Sequence, residues 1–255
     1  MLNQNLSSQF QKDFFFKKDG PLFSESNFKK IQSYFLNLAE SVPEPQRYLN
    51  FANDIRFRPA IADWVDRREL MDVVQPILGE DLVFWSIGVC YKPPMSDYQV
   101  GWHIDSHFWM RNEVLFPPDA LILFFSLTEM TEENGGLEII PHLNDPKYYE
   151  HVKRDKDHFF FEHEISEKEF GGRKPHLIQM KENELCGFAS HVPHRSGPNR
   201  STKPRIGITL RYLQSSVKIT DTPLDGRESY LISGVDRAGN SYSQIQARGS
   251  IGGLT

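Results

Sequence analysis

Cysteine is scarce. Cys90 and Cys186 are the only two in 255 residues, which argues against a disulfide framework, and their separation does not match a metal-ligand motif. Long apolar runs are absent as well. The longest, "ALILFF" at 120–125, falls far short of the roughly 20 residues that cross a bilayer as a helix. The opening "MLNQNLSSQFQKDFFFKKDG" lacks the apolar core and small-residue cleavage site of a secretory signal. No block of Lys or Arg is long enough to follow a phosphate backbone, and the formal charge is −5, so nucleic acid is not the expected partner. What these absences leave is a cytoplasmic protein that binds neither membrane nor nucleic acid and acts on a small molecule. Nothing in the sequence specifies an oligomeric state.

With 39% hydrophobic and 25% charged residues, the composition is that of an ordinary globular chain, and a single domain over 1–255 is expected. Two amphipathic helices come first. "SESNFKKIQSYFLNLAE" has Ser24 or Ser26 as N-cap and Phe28, Ile31, Phe35 and Leu38 at helical spacing; "IADWVDRRELMDVVQPILGE" has Leu70, Val73 and Ile77, a stop at Gly79 and a kink or shortening at Pro76. From about residue 82 short β-rich runs follow: "LVFWSIGVCY", "VGWHIDSHFW", "ALILFFSL", "GLEIIP", "HLIQM", "ELCGFAS" and "RIGITLRYL". Their turn-separated spacing predicts a mainly β fold with flanking helices, an antiparallel sandwich or barrel. Asn134-Gly135 reads as a hairpin turn. Residues 142–176, rich in His, Lys, Glu and aromatics, read as an insertion or lid.

The chemistry concentrates in "QVGWHIDSHFWM", 99–110, where Asp105 lies in an aromatic, apolar stretch. A buried carboxylate needs a partner or a cation. On a regular strand His103, Asp105 and His107 share one face, so a histidine and a carboxylate already stand together and a third ligand has to come from elsewhere. Alone, an H-x-D pair is more often structural than metal-binding. The later segment "SHVPHRSGPNRSTKPRIGITLRYL" changes that balance by adding His191 and His194, and Arg205 on a following strand. Two histidines and a carboxylate suit a facial iron site that leaves positions open. The Arg205 fork suits the far end of a dicarboxylate.

"KPP…GWHIDSHFW", "TEENGGLEIIP" and "HRSGPNRSTKPRIGITLRY" resemble the phytanoyl-CoA dioxygenase family of Fe(II)/2-oxoglutarate-dependent oxygenases, clearly so over 83–213. The resemblance implies a double-stranded β-helix, a cupin-like jelly-roll. It implies His103, Asp105 and His194 as iron ligands, with His194 chosen over His191 because it leads into S-x-P-N. Ser196 and Arg205 would hold 2-oxoglutarate, and O2 would be the second cosubstrate. The implied activity is oxidation, above all hydroxylation, of a small-molecule C–H bond with release of succinate and CO2, and specialised metabolism is one setting the resemblance allows. Asp105 stands where related halogenases have a small residue, so halogenation is not expected. The chain departs from the family at "PHLN", where many members read P-G-S-H, so that a common histidine is either missing or displaced to His142.

Further candidates are weaker. His107 and Trp109 are potential substrate contacts. Lys92 either reaches toward the pocket or, as is commoner, is an exposed strand-end lysine, and Arg211 either faces inward with Arg205 or forms a structural salt bridge. "HFFFEHE" would close over an apolar substrate or pack the lid down. A zinc hydrolase on the same ligands, or a non-catalytic jelly-roll binding protein, is the competing reading.

Overall fold

The computed structural model describes residues 2–41, 64–106, 119–141, 149–155, 157–219 and 229–242. Its helices are α1 (Leu2–Asp13), α2 (Glu25–Ser41) and α3 (Arg68–Leu78). The strands are β1 (Phe15–Lys18), β2 (Leu82–Lys92), β3 (Val100–His103), β4 (Ala120–Ser126), β5 (Leu137–Ile139) and β6 (His151–Lys153), then β7 (His163–Ile165), β8 (His176–Ile178), β9 (Leu185–Ala189), β10 (His194–Ser196), β11 (Arg205–Gln214) and β12 (Tyr230–Ser233). They form a major sheet in the order β1-β9-β4-β11-β2-β12, a minor sheet β3-β10-β5-β8 and a separate hairpin β6-β7. Every named pairing is antiparallel. This is the expected jelly-roll.

The central strands of the major sheet are covered on both faces, which explains why β4 is apolar from Ala120 to Phe125 and buried throughout. Phe125 turns outward to the helices, where Phe23, Phe28 and Trp64 meet its ring edge-on at 5.5–6.1 Å. Its neighbour Phe124 turns inward and lines the cavity between the sheets. The same alternation along β11 sends Arg205, Gly207, Thr209 and Arg211 inward. Arg205 and Thr209 line the cavity, Arg211 reaches Asp105, and a Cβ on Gly207 would press on Phe124.

Both expected helices form, and α3 ends at Leu78, two residues past Pro76, with Gly79 as its left-handed cap at φ 87°. A third helix, α1, was not legible. Of its residues from Asn5 onward, Leu6 and Phe10 are deeply buried, and Phe10 is held by Phe16 at 6.3 Å, so tertiary packing contributes to its stability. Asn134-Gly135 is a turn, with Gly135 at φ 72° and the Asn134 side chain accepting from the Thr131 N–H. It closes no hairpin, because β4 and β5 belong to different sheets.

Of the segment read as an insertion, residues 149–155 and 157–176 are described, and His142 lies outside the described residues. It carries β6, β7 and a 3-10 turn at Glu167–Phe170. Ile165, Phe170 and Tyr149 cluster with Trp102, Ile104 and Ile140 in a small second core. Among the described residues no helix is long and apolar enough to cross a membrane.

Candidate metal and cosubstrate site

His103 ends β3 and His194 begins β10, and the two strands pair with these residues directly opposite. Asp105 is not on the strand. Its backbone is helical, and the Ser106 N–H donates to the Ser190 carbonyl at 3.2 Å, which corrects the expectation of a continuous strand face through His103, Asp105 and His107. The turn is what brings the carboxylate back: Asp105 Oδ1 lies 3.6 Å from His103 Nε2 and 3.7 Å from His194 Nε2. One donor atom from each of the three residues falls within 4.8 Å of the others, an arrangement able to hold a metal ion. His107 and Trp109 lie outside the described residues.

Backbone carbonyls fix the two rings. His103 Nδ1 donates to Gly101 O and His194 Nδ1 to Val192 O, each at 2.9 Å. A carbonyl only accepts, so Nδ1 carries the proton and the Nε2 lone pair points at the centre. Burial, reinforced by His194, pushes His103 down to about 3, and burial also lowers His194. Both are therefore neutral donors at pH 7. Burial alone would raise Asp105, but Arg211, followed by the two histidines, holds it below its ordinary value. Arg211 Nε donates to Oδ2 at 3.1 Å, which leaves Oδ1 facing the histidines. The two readings of Arg211 merge, since it faces inward and forms the salt bridge.

Beside these ligands runs a narrow cavity whose inner end is lined by Cys90, Phe124, Ser196, Arg205 and Thr209. Arg205 is completely buried. One Nη donates to the Gly135 carbonyl, while Nε and the other Nη have no partner among the described residues. Burial draws the guanidinium down only to about 10, so it stays cationic. Buried charged donors left unpaired cost more than the ~1–3 kcal/mol of a neutral group, and a carboxylate is the ligand whose shape and charge match the fork.

Lys92 corrects the expectation of an exposed strand end. It is 3% exposed, and its ammonium donates to the carbonyls of Tyr98, Ser196 and Gly197 at 3.1, 3.2 and 2.6 Å. Lys92 thereby pins the end of β10 that carries Ser196. His191 stays apart from the cluster. Its ring packs edge-on against Phe14 at 5.0 Å, and neither ring nitrogen has a hydrogen-bond partner among the described residues.

The sequence offered little sign of Glu164. It is buried in β7, accepts the Trp102 N–H at 3.2 Å and takes Arg154 Nε at 2.6 Å. The one available clue was Gly101, a strand glycine of the kind that marks a close approach. A Cβ there would meet Glu164 Oε2 at 2.4 Å.

The family model for phytanoyl-CoA dioxygenase matches residues 37–207. A probable alpha-ketoglutarate-dependent hypophosphite dioxygenase of Stutzerimonas stutzeri is 28% identical over 193 residues, 72% of this chain and 60% of that protein. An L-proline trans-4-hydroxylase of Streptomyces griseoviridis is 24% identical over 169 residues, 60% of this chain and 61% of that protein. The chain thus spans about three fifths of the length of these curated relatives. In fold it is similar to EctD from S. alaskensis, crystallised with 2-oxoglutarate and 5-hydroxyectoine, at a TM-score of 0.68 and 19% identity over 91% of this chain and 83% of that one. With the family model extending over most of its length, the chain belongs to the phytanoyl-CoA dioxygenase family.

Proposed function

We propose that the protein is an Fe(II)/2-oxoglutarate-dependent dioxygenase that hydroxylates a C–H bond of a small molecule. The overall balance is substrate C–H plus O2 plus 2-oxoglutarate giving the alcohol, succinate and CO2. The observation that carries this reading is the conjunction, in one buried cavity, of a His/Asp/His cluster with a guanidinium two of whose nitrogens lack partners among the described residues. Relatives named for oxidation of hypophosphite and of L-proline support a small-molecule substrate without identifying it.

In this reading His103, Asp105 and His194 hold the iron, and Arg205 with Ser196 holds the distal carboxylate of 2-oxoglutarate. The bound metal and cosubstrate supply the activation of O2. The protein's own part is orientation and exclusion. Nδ1–H bonds to carbonyls keep both imidazoles aimed, Arg211 keeps the Asp105 carboxylate ionised and turned, and Lys92 fixes the strand end bearing Ser196. The ring of Phe188, 4.7 Å from His194, keeps water from one side of the ligand set. A zinc hydrolase or a non-catalytic binding protein would leave Arg205 without its anion, which weighs against both.

The test requires no substrate. Metal-stripped protein mixed with Fe(II) and 2-oxoglutarate under nitrogen is expected to show the weak visible charge-transfer band of the chelate. Asp105→Ala abolishes the band and Arg205→Ala weakens it at a fixed 2-oxoglutarate concentration. Tight zinc binding with no band in the parent would sink the oxygenase reading.

A further inference from the structure

We propose that Phe160 and Phe161 form a substrate-selecting wall beside the metal cluster, one that admits an uncharged, apolar group and turns charged groups away. The inference rests on the oxygenase reading and narrows its substrate class.

The segment that carries this pair returns to the site by hydrogen bonds rather than by chance proximity. The Gln99 N–H donates to His158 O and the Phe160 N–H to Gln99 O, each at 2.9 Å, directly before the strand that ends at His103. The Phe161 ring then lies 4.9 Å from the His103 ring, and Phe160 meets Phe161 edge-on at 4.5 Å. Both rings line the cavity that also holds His103, His194 and Arg205, and both are only half-buried. Apolar aromatic surface therefore lines the same cavity as two of the candidate ligands, His103 and His194, with Phe161 against His103.

Charge is the second observation. The cavity lining among the described residues includes two charged side chains, Arg195 and Arg205. Arg195 is engaged by Glu138 at 2.7 Å and Glu167 at 3.2 Å and lies 4.6 Å over the Trp102 ring. Arg205 is claimed by the cosubstrate. An ionised substrate group placed against Phe160 and Phe161 would lose its water without gaining a counter-charge from this lining.

The experiment uses the full chain with Fe(II) and saturating 2-oxoglutarate, and probes matched in ring but not in charge. Benzyl alcohol, cyclohexanol and indole are the neutral set; benzoate, benzylammonium and cyclohexanecarboxylate are the charged set. Two readouts are taken, the probe-induced change in the anaerobic charge-transfer band and the succinate released when air is admitted. Neutral probes are expected to act at concentrations about tenfold or more below their charged counterparts. Phe160→Ala and Phe161→Ala should remove that preference, and Phe161→Leu should keep most of it. Half-saturation by 2-oxoglutarate should stay unchanged in all three, which also reports that they fold. If no neutral probe outperforms its charged counterparts, or if both alanine variants keep the parent's preference, the proposal is overturned. Absence of the band in the parent overturns the oxygenase reading instead, so the two failures are told apart.

Discussion

Arg211 illustrates how much of a metal site resides outside its ligands. Its Nε holds one oxygen of Asp105 and its Nη1 lies 3.4 Å from Ser86 Oγ, so the carboxylate has one orientation and a compensated charge before any cation arrives. Removing one partner of a buried ion pair typically costs about 3–5 kcal/mol, and loss of an outer partner typically weakens metal affinity roughly 10–100-fold. Arg211→Met should therefore bind Fe(II) or Ni(II) more weakly by that factor in a competition titration, with Arg211→Lys recovering part of it. An unchanged affinity in Arg211→Met would show that Asp105 is held by other means. His191 makes the opposite case, a buried imidazole that nothing among the described residues pairs. Burial brings it down to about 4 from 6.5. Because its folded value is depressed, the unfolded chain takes up the proton first. Stability from this group is therefore fully present above about 6.5 and lost as pH falls toward about 4. His191→Leu should flatten the fall of Tm across that window relative to the parent, and an identical acid limb in both proteins would exclude His191 as a contributor.

At the scale of elements, the contact between β3 and β7 is decided by a missing side chain. Gly101 leaves room for Glu164 to reach the Trp102 N–H. Gly101→Ala forces the two apart, at the roughly 1–3 kcal/mol typical of overpacking. The expected result is faster proteolytic cleavage within residues 149–176 and a lower Tm, with the helical core unaffected; a cleavage rate equal to the parent's would mean that the two strands accommodate the methyl. This also marks where sequence reading stops. Strands β2, β3, β4, β5, β8, β9 and β11 were legible as β-rich runs between turn signals, and period two along β11 placed Arg205 and Arg211 on one face, whereas the short β1, β6, β7, β10 and β12 gave no such run. Asp105 was assigned to a strand because a single turn residue, Ile104, carries no signal that distinguishes it from strand. Lys92 looked exposed because its carbonyl partners come from Tyr98, Ser196 and Gly197, two of them more than a hundred positions away. Glu164 was invisible for the same reason, its backbone partner lying 62 positions earlier.

For the molecule as a whole, the division of labour between core and site matters most. The large hydrophobic cluster draws on α1, α2, α3, the major sheet and β5 and β8 of the minor sheet, and it meets the candidate ligands at its edge, where Phe188 packs on His194. Metal should then add only linkage stabilisation, about 2.7 kcal/mol when free metal exceeds its dissociation constant a hundredfold. Chelator-treated protein is expected to keep its far-ultraviolet circular dichroism and to melt cooperatively, with a Tm that climbs with the logarithm of added metal. Cooperative melting lost on chelation would place the ligands within the folding core.

The Asp105–Arg211 pair gives that separation a temporal meaning. Since the carboxylate is already neutralised by its arginine, an emptied pocket is not a nest of repelling charges that must collapse or open. It waits in its loaded shape. Departure of the cation then leaves a folded chain able to take it up again: protein stripped of metal is expected to regain its full metal content when the ion is returned to the buffer.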